Sequence, residues 1–269
     1  MGALCTLLSL ATLLGCGGAQ GQTTEPSAIR NPAPVIVAEP LPTTDTLTTD
    51  ALRLPHARHL SDQLPAAVAV TLTIDHIAID GHEIGDMPAA GSPLHEVETL
   101  STALSERPPV SGPSRTRVTL RADERVDLQA LASVMLTLAR GGLYEFEFVA
   151  QREGGSLGRM TIAERLPTHP APPSPTRRLF LGINANRYVI ARVPEHGGEP
   201  TEVTFRRDDE AEARRQVTEA LRAEVRRSPD EHTIILVIAI GTYGDLITMM
   251  DLALDEQLYV VSVADAFHL

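Results

Sequence analysis

The segment Gly154-Gly155-Ser156-Leu157-Gly158 matches the pattern G-x-S-x-G, in which a serine nucleophile sits on a sharp turn between a strand and a helix, with Asp and His later in the chain. The surroundings do not supply that setting. Ser156 leaves a strand-like run and heads for the Pro-rich stretch 165–178 (RLPTHPAPPSPTRR) instead of a helix. The nine histidines are dispersed: His56 and His59 share a polar arm, and His76 and His82 flank a hairpin. His95-Glu96-Val97-Glu98 departs from H-E-x-x-H, the spacing that sets two imidazoles on one helix face. The mixed-sign runs Arg206-Arg207-Asp208-Asp209-Glu210 and Arg222 to Arg227 read as a solvated helix face with i,i+4 pairing. These residues specify no catalytic group, no metal site and no cofactor-binding site, and the chain reads as a non-enzyme.

The elements that must carry these residues follow a pattern that occurs twice. Val118 to Val149 and Thr233 to Ala264 align without a gap, and each runs strand, turn, helix, strand. Identity is confined to Leu131/Leu246, Met135/Met250, Leu143/Leu258 and Tyr144/Tyr259. What repeats is the order of periods. In the first copy Val118, Leu120 and Ala122 alternate with polar residues, then Leu128, Leu131, Met135 and Leu138 recur at helical steps. Asp127 is placed to cap that helix and Gly141-Gly142 to end it. Tyr144, Phe146 and Phe148 then alternate with Glu145 and Glu147, which predicts a half-exposed strand. In the second copy Thr242 and Asp245 form a capping-box pattern ahead of Leu246, Met249, Met250 and Ala253. Ile234 to Ile240 is apolar throughout and reads as a central strand covered on both faces.

Similar material precedes each copy. Ala67 to Ile74 and Ile77 to Ile84 read as two strands with Asp80-Gly81 as a turn or bulge, and Leu179 to Ile183 and Tyr188 to Val193 repeat the arrangement. Helices follow over Ser92 to Ser105 and Asp208 to Arg227. The expected fold is α+β: two β-β-α-β-α-β repeats, each a small mixed sheet with two helices on one face.

The stretch Ala122-Asp123-x-x-Val126-x-Leu128, followed by Val134-Met135, Gly142 and Leu143, resembles the C-terminal half of the periplasmic domain of ExbD/TolR proteins. In the second copy Tyr243-Gly244 and Met250-Asp251 fit that family's "YG" and "MD" positions, while Ile238 and Gln257 replace its Asp and Gly. The first copy keeps Asp123 and Gly142 but has Leu128-Gln129 and Leu136 at the other positions. The resemblance spans roughly Pro65 to Val149 and Arg178 to Ala264. It implies domains that bind an envelope protein or peptidoglycan in a biopolymer-transport or envelope-integrity system, and that pair within one chain or as a homodimer. An alternative it leaves open is an accessory subunit of a proton-driven ExbB/ExbD- or TolQ/TolR-type transmembrane transport complex.

That family begins with a transmembrane helix bearing an aspartate, and here the sequence departs from it. Ala3 to Gly15 is the one long apolar run, short of the roughly 20 residues a span needs, and it holds no acid. It closes in Leu13-Leu14-Gly15-Cys16, which resembles a bacterial lipobox. Cys16 is thus the expected lipidation site and first residue of the mature chain. The rival pattern Met1-Gly2 to Thr6, a myristoylation signal, leads straight into an apolar run instead of a polar arm. Cys5 falls in the leader and Cys16 takes the lipid, so no disulfide is expected.

The predicted organisation is a signal peptide over 1–16, a disordered tether over 17–63, one repeat over 64–152, a Gly/Pro-rich linker over 153–177 and a second repeat over 178–269. A net charge of −12 argues against nucleic acid as a partner. The expected location is the bacterial cell envelope, lipid-anchored and facing the periplasm, with the outer membrane favoured over the inner because Gly17 and not Asp follows the cysteine.

Overall fold

Val68, Val70 and Leu72 are buried and alternate with residues that reach the surface, so Val68–Leu72 forms a strand, β1. The computed structural model of the protein describes residues 52–62, 66, 68–108, 115–162, 177–184, 186–194, 199–229, 233–238 and 240–265. After β1 come β2 (His76–Ile79), β3 (His82–Asp86), α1 (Glu98–Ser105), β4 (Arg117–Ala122), α2 (Leu128–Arg140), β5 (Glu145–Gln151) and β6 (Leu157–Thr161). The second half runs β7 (Arg177–Asn184), β8 (Arg187–Pro194), β9 (Thr201–Arg206), α3 (Glu210–Arg227), β10 (Thr233–Ile238), α4 (Tyr243–Asp255) and β11 (Tyr259–Asp265). The architecture is α+β, with a mixed sheet of order β3-β2-β1-β4-β5-β6 and another of order β9-β8-β7-β10-β11. Cys16, the leader and the tether up to residue 51 lie outside the described residues.

Each half opens with three antiparallel strands where two were expected. Ile77 to Ile84 is not one strand. It folds back at Asp80-Gly81, whose φ values of 50° and 83° are the paired positive angles of a tight hairpin turn. β9 escaped the sequence reading because it is an edge strand exposed along its length apart from Phe205. From the third strand of each half a helix carries the chain across to a strand parallel to the first, and a second helix carries it one strand further. Both crossings run the same way along the sheet, and within each half the helices pack on one another, α1 on α2 and α3 on α4.

Helix ends follow local chemistry. The Asp127 carboxylate accepts from the N–H groups of Gln129 (3.0 Å) and Ala130 (3.1 Å), and Gly142, at φ 86°, lets the chain leave α2. Thr242 and Asp245 form a complete capping box on α4. The first helix begins at Glu98 and not at Ser92. Pro93 disfavours helical angles at Ser92, and the N–H groups of His95 and Val97 are taken by Ser133 Oγ (3.3 Å) and Thr137 Oγ1 (2.9 Å) of α2.

The buried stripes Leu128, Leu131, Val134 and Leu138 of α2, and Ala213, Val217 and Leu221 of α3, complete the cores over the sheets. The middle of β5 is covered on both faces, not half exposed as its alternation suggested. Glu147 is 1% exposed and is neutralised by Arg117 (3.2 Å) and by Arg159 (2.5 Å) of β6, which lies beyond it in the sheet. β10 sits between β7 and β11, with Ile234 and Leu236 buried and Ile235 and Val237 half-buried, while Ile240 lies past its end at 62% exposure.

Candidate functional site

In the register that aligns Val118 with Thr233, Asp127 corresponds to Thr242, and these two helix caps meet each other in an antiparallel bridge. The hydrogen bonds around them are reciprocal. The Leu128 N–H donates to the Gly241 carbonyl (3.1 Å), and the Tyr243 N–H donates to the Val126 carbonyl (2.8 Å). Leu128 corresponds to Tyr243 and Val126 to Gly241, so the two contacts are the mates of a two-fold relation. Such self-complementarity is the signature of an isologous interface.

Tyr243 deepens this junction. Its ring is fully buried 6.3 Å from that of Phe148, and its hydroxyl donates to the carbonyl of Val149 (2.8 Å), with that of Leu120 at 3.4 Å. Burial pushes the phenol's pKa far up, which keeps the donor protonated. Gly244 beside it lets the backbones close up: a Cβ there would stand 3.1 Å from the Glu124 carbonyl oxygen, which the Gly244 N–H binds at 2.9 Å. Tyr243-Gly244, singled out by resemblance, is therefore the pair that seats α4 against the first half.

The two acids of the same pattern hold a strap. Residues 52–62, the end of the segment read as a disordered tether, run in a defined course over both halves. Asp123 Oδ2 accepts from the Arg53 N–H (3.1 Å), and the Glu124 N–H returns a bond to the Arg53 carbonyl (2.7 Å). Asp251 accepts from the N–H groups of Arg58 (2.9 Å) and His59 (3.0 Å) and from Arg58 Nε (3.0 Å). Asp255 pairs with the Arg58 guanidinium and lies 2.6 Å from His59 Nε2. Between these grips Ala57 is buried and bonds Gln151, and beyond them Ser61 exchanges backbone bonds with Arg159. Burial alone would raise the Asp123 carboxyl, but its bonds from Arg125 and from the Arg125 and Arg53 N–H groups outweigh this and hold it below the usual carboxylate range.

The serine of G-x-S-x-G lies exposed in the β5–β6 hairpin, so the segment read as the start of the linker continues the first sheet. Gly154 and Gly155 make its turn at φ 99° and 88°. Gly158 seats the strap: a Cβ there would come within 2.6 Å of Leu60 Cβ. His76 Nδ1 is 3.3 Å from Glu83, His95 Nδ1 bonds the Pro93 carbonyl at 2.7 Å, and His82 is exposed. Among the described residues no group of three or more His, Cys, Asp or Glu side chains is placed to hold a metal ion.

Two surface hollows flank the junction. One, of about 510 Å³, lies between the strap, α3 and α4 and is lined by Arg58, Arg214, Arg215 and Arg222. Each of these guanidiniums has a carboxylate partner, respectively Asp251, Glu210, Glu212 and Glu256, so the hollow offers no surplus of positive charge to an anion. The other, of about 480 Å³, opens in the first half where the β3–α1 connection faces the start of α2. Compared with protein-family models and with curated proteins, the chain matches none.

Proposed function

We propose that this chain is a non-catalytic, lipid-anchored binding protein of a Gram-negative cell envelope. In this reading one ExbD/TolR-like periplasmic domain was duplicated, and the two copies pair within the chain as a fused counterpart of a homodimer. The partner is an envelope protein or peptidoglycan of a biopolymer-transport or envelope-integrity system. The observation that carries the reading is the reciprocal contact of equivalent residues, Leu128 with Gly241 and Tyr243 with Val126, between halves of the same strand order. One further observation fits it: the acids at the family positions, Asp123 and Asp251, bind the strap that continues from the proposed anchor.

The test is fractionation of a Gram-negative host expressing the full chain, with mass spectrometry of its N-terminus and photo-crosslinking from the exposed Ile74. A mature chain starting at a diacylglyceryl-modified Cys16, membrane-bound, periplasm-facing and crosslinked to an envelope protein or to sacculi, is the expected result, and Cys16→Ser should release it or leave an unprocessed precursor. An unmodified chain in the cytoplasm overturns the reading.

A further inference from the structure

The two halves differ at one corner in a way that points to a ligand. In the second half, Arg207 leaves β9 and fills the corner between that strand and α3. Its Nη2 binds Asp245 at 2.7 Å, its Nε binds Glu210 at 3.0 Å, and the guanidinium carbon lies 5.1 Å from the centroid of the Tyr188 ring. In the first half the residue leaving β3 is Met87, and the position in register with Asp245 is Ala130. That corner has no arginine at the position of Arg207 and stands open as the groove of about 480 Å³.

The groove's chemistry suits what the second half places there. Ile74, Met87, Val126 and Ala130 give it an apolar lining, with Ile74 left 46% exposed. Asp75 and Asp86 stand exposed at its rim. Asp75, Asp86 and Asp127 in the lining outnumber its one guanidinium, Arg125, which binds Asp123 at 2.8 and 3.0 Å and also faces Asp75, while His76 Nδ1 lies 3.5 Å from Asp86. An aliphatic stem over Ile74 and Met87 with a forked cation at the rim carboxylates describes an arginine side chain, whose rigid planar fork of five donors fits two carboxylates better than a lysine's single ammonium does. The chain's net charge of −12 draws a basic partner in the same sense.

We infer that the open corner between the β3–α1 connection and the start of α2 is a docking site for an extended, arginine-bearing segment of a partner protein. This deepens the binding role proposed above and rests on it only for where the partner resides. The full chain, purified in detergent, is titrated against a fluorescent peptide of alternating leucine and arginine, with a leucine–glutamate peptide as control. The arginine peptide should bind saturably and lose affinity as salt rises, and the glutamate peptide should not bind. Asp75→Asn with Asp86→Asn should weaken binding about tenfold or more, the order expected from losing charge-assisted hydrogen bonds. Met87→Arg with Ala130→Asp, which installs the second half's clasp, should abolish it. The exposed Asn pair leaves the fold intact, so it decides the matter even if the clasp variant unfolds. Absence of binding, equal binding of the glutamate peptide, or binding indifferent to the Asn pair overturns the inference. Because the titration needs no membrane, its outcome is independent of whether Cys16 carries lipid.

Discussion

Tyr243 is an α4 residue whose hydroxyl is satisfied only by carbonyls of β4 and β5 in the other half. Tyr243→Phe keeps the ring's packing against Phe148 but leaves the Val149 carbonyl without its donor. The expected loss is about 1–2 kcal/mol in urea unfolding, the usual cost of a buried unsatisfied acceptor. An unchanged midpoint would show that water replaces the bond. Asp123 makes a pH prediction. Its folded pKa lies below the unfolded value of about 3.9. Its contribution is therefore complete above that value and is lost as pH falls through the folded pKa. Asp123→Asn should flatten the acid limb of the stability profile below about pH 4 while leaving the alkaline limb unchanged. Such residues differ in how far the sequence betrays them. Asp127 and Thr242 were legible as caps because their partners lie within three residues. Tyr243 was flagged by resemblance alone, and its role was not, since its partners are 94 and 123 residues away in the chain.

The strap is where reading by element fell short. Residues 52–62 have the polar, aperiodic composition of a tether, and nothing in their own pattern announces that Asp123, Gln151, Arg159 and Asp251 bind them. β6 was hidden for a related reason: a short strand after two glycines reads as a linker until its partner β5 is known to be covered on both faces. Longer segments with a firm period, α2, α3 and α4, were placed to within two residues at their starts because capping and stripe agree. Gly158 gives the strap a test. With Leu60 Cβ 2.6 Å and the Ser61 carbonyl oxygen 3.0 Å from an added methyl, Gly158→Ala cannot be accommodated while the strap stays seated. Hydrogen exchange should show amides at Ala57 and Ser61 losing protection, whereas those in the centre of α2 keep theirs. Protection lost equally in α2 would mean that the strap and the first half form one cooperative unit.

At the scale of the whole molecule the question is whether the halves need each other. The junction buries Tyr243 and Leu246 at the start of α4 and Leu128 at the start of α2, and it uses backbone groups of both cap loops. Cutting the chain would expose this apolar surface together with the unpaired N–H groups of Leu128, Tyr243 and Gly244, a combination that isolated domains avoid. The family resemblance implied such a partnership without saying where it would form, and the structure brings the halves together at the paired helix caps. That site was not foreseen because reciprocity between two loops is a property of their meeting and not of either loop. Residues 177–269 expressed alone should therefore self-associate or aggregate, and adding residues 52–162 in trans should restore a soluble one-to-one complex. The two-fold relation sharpens the expectation. A lone second half can pair with a copy of itself through Gly241 and Tyr243, but it would set two Gly244–Tyr243 edges against each other without the Glu124 and Val149 carbonyls that receive them in the intact chain. The homodimer should accordingly be weaker than the complex with the first half. Sedimentation of the fragment alone and of the equimolar mixture measures the difference, and a monomeric, soluble fragment as stable as the full chain would show that the halves are independent domains that merely touch.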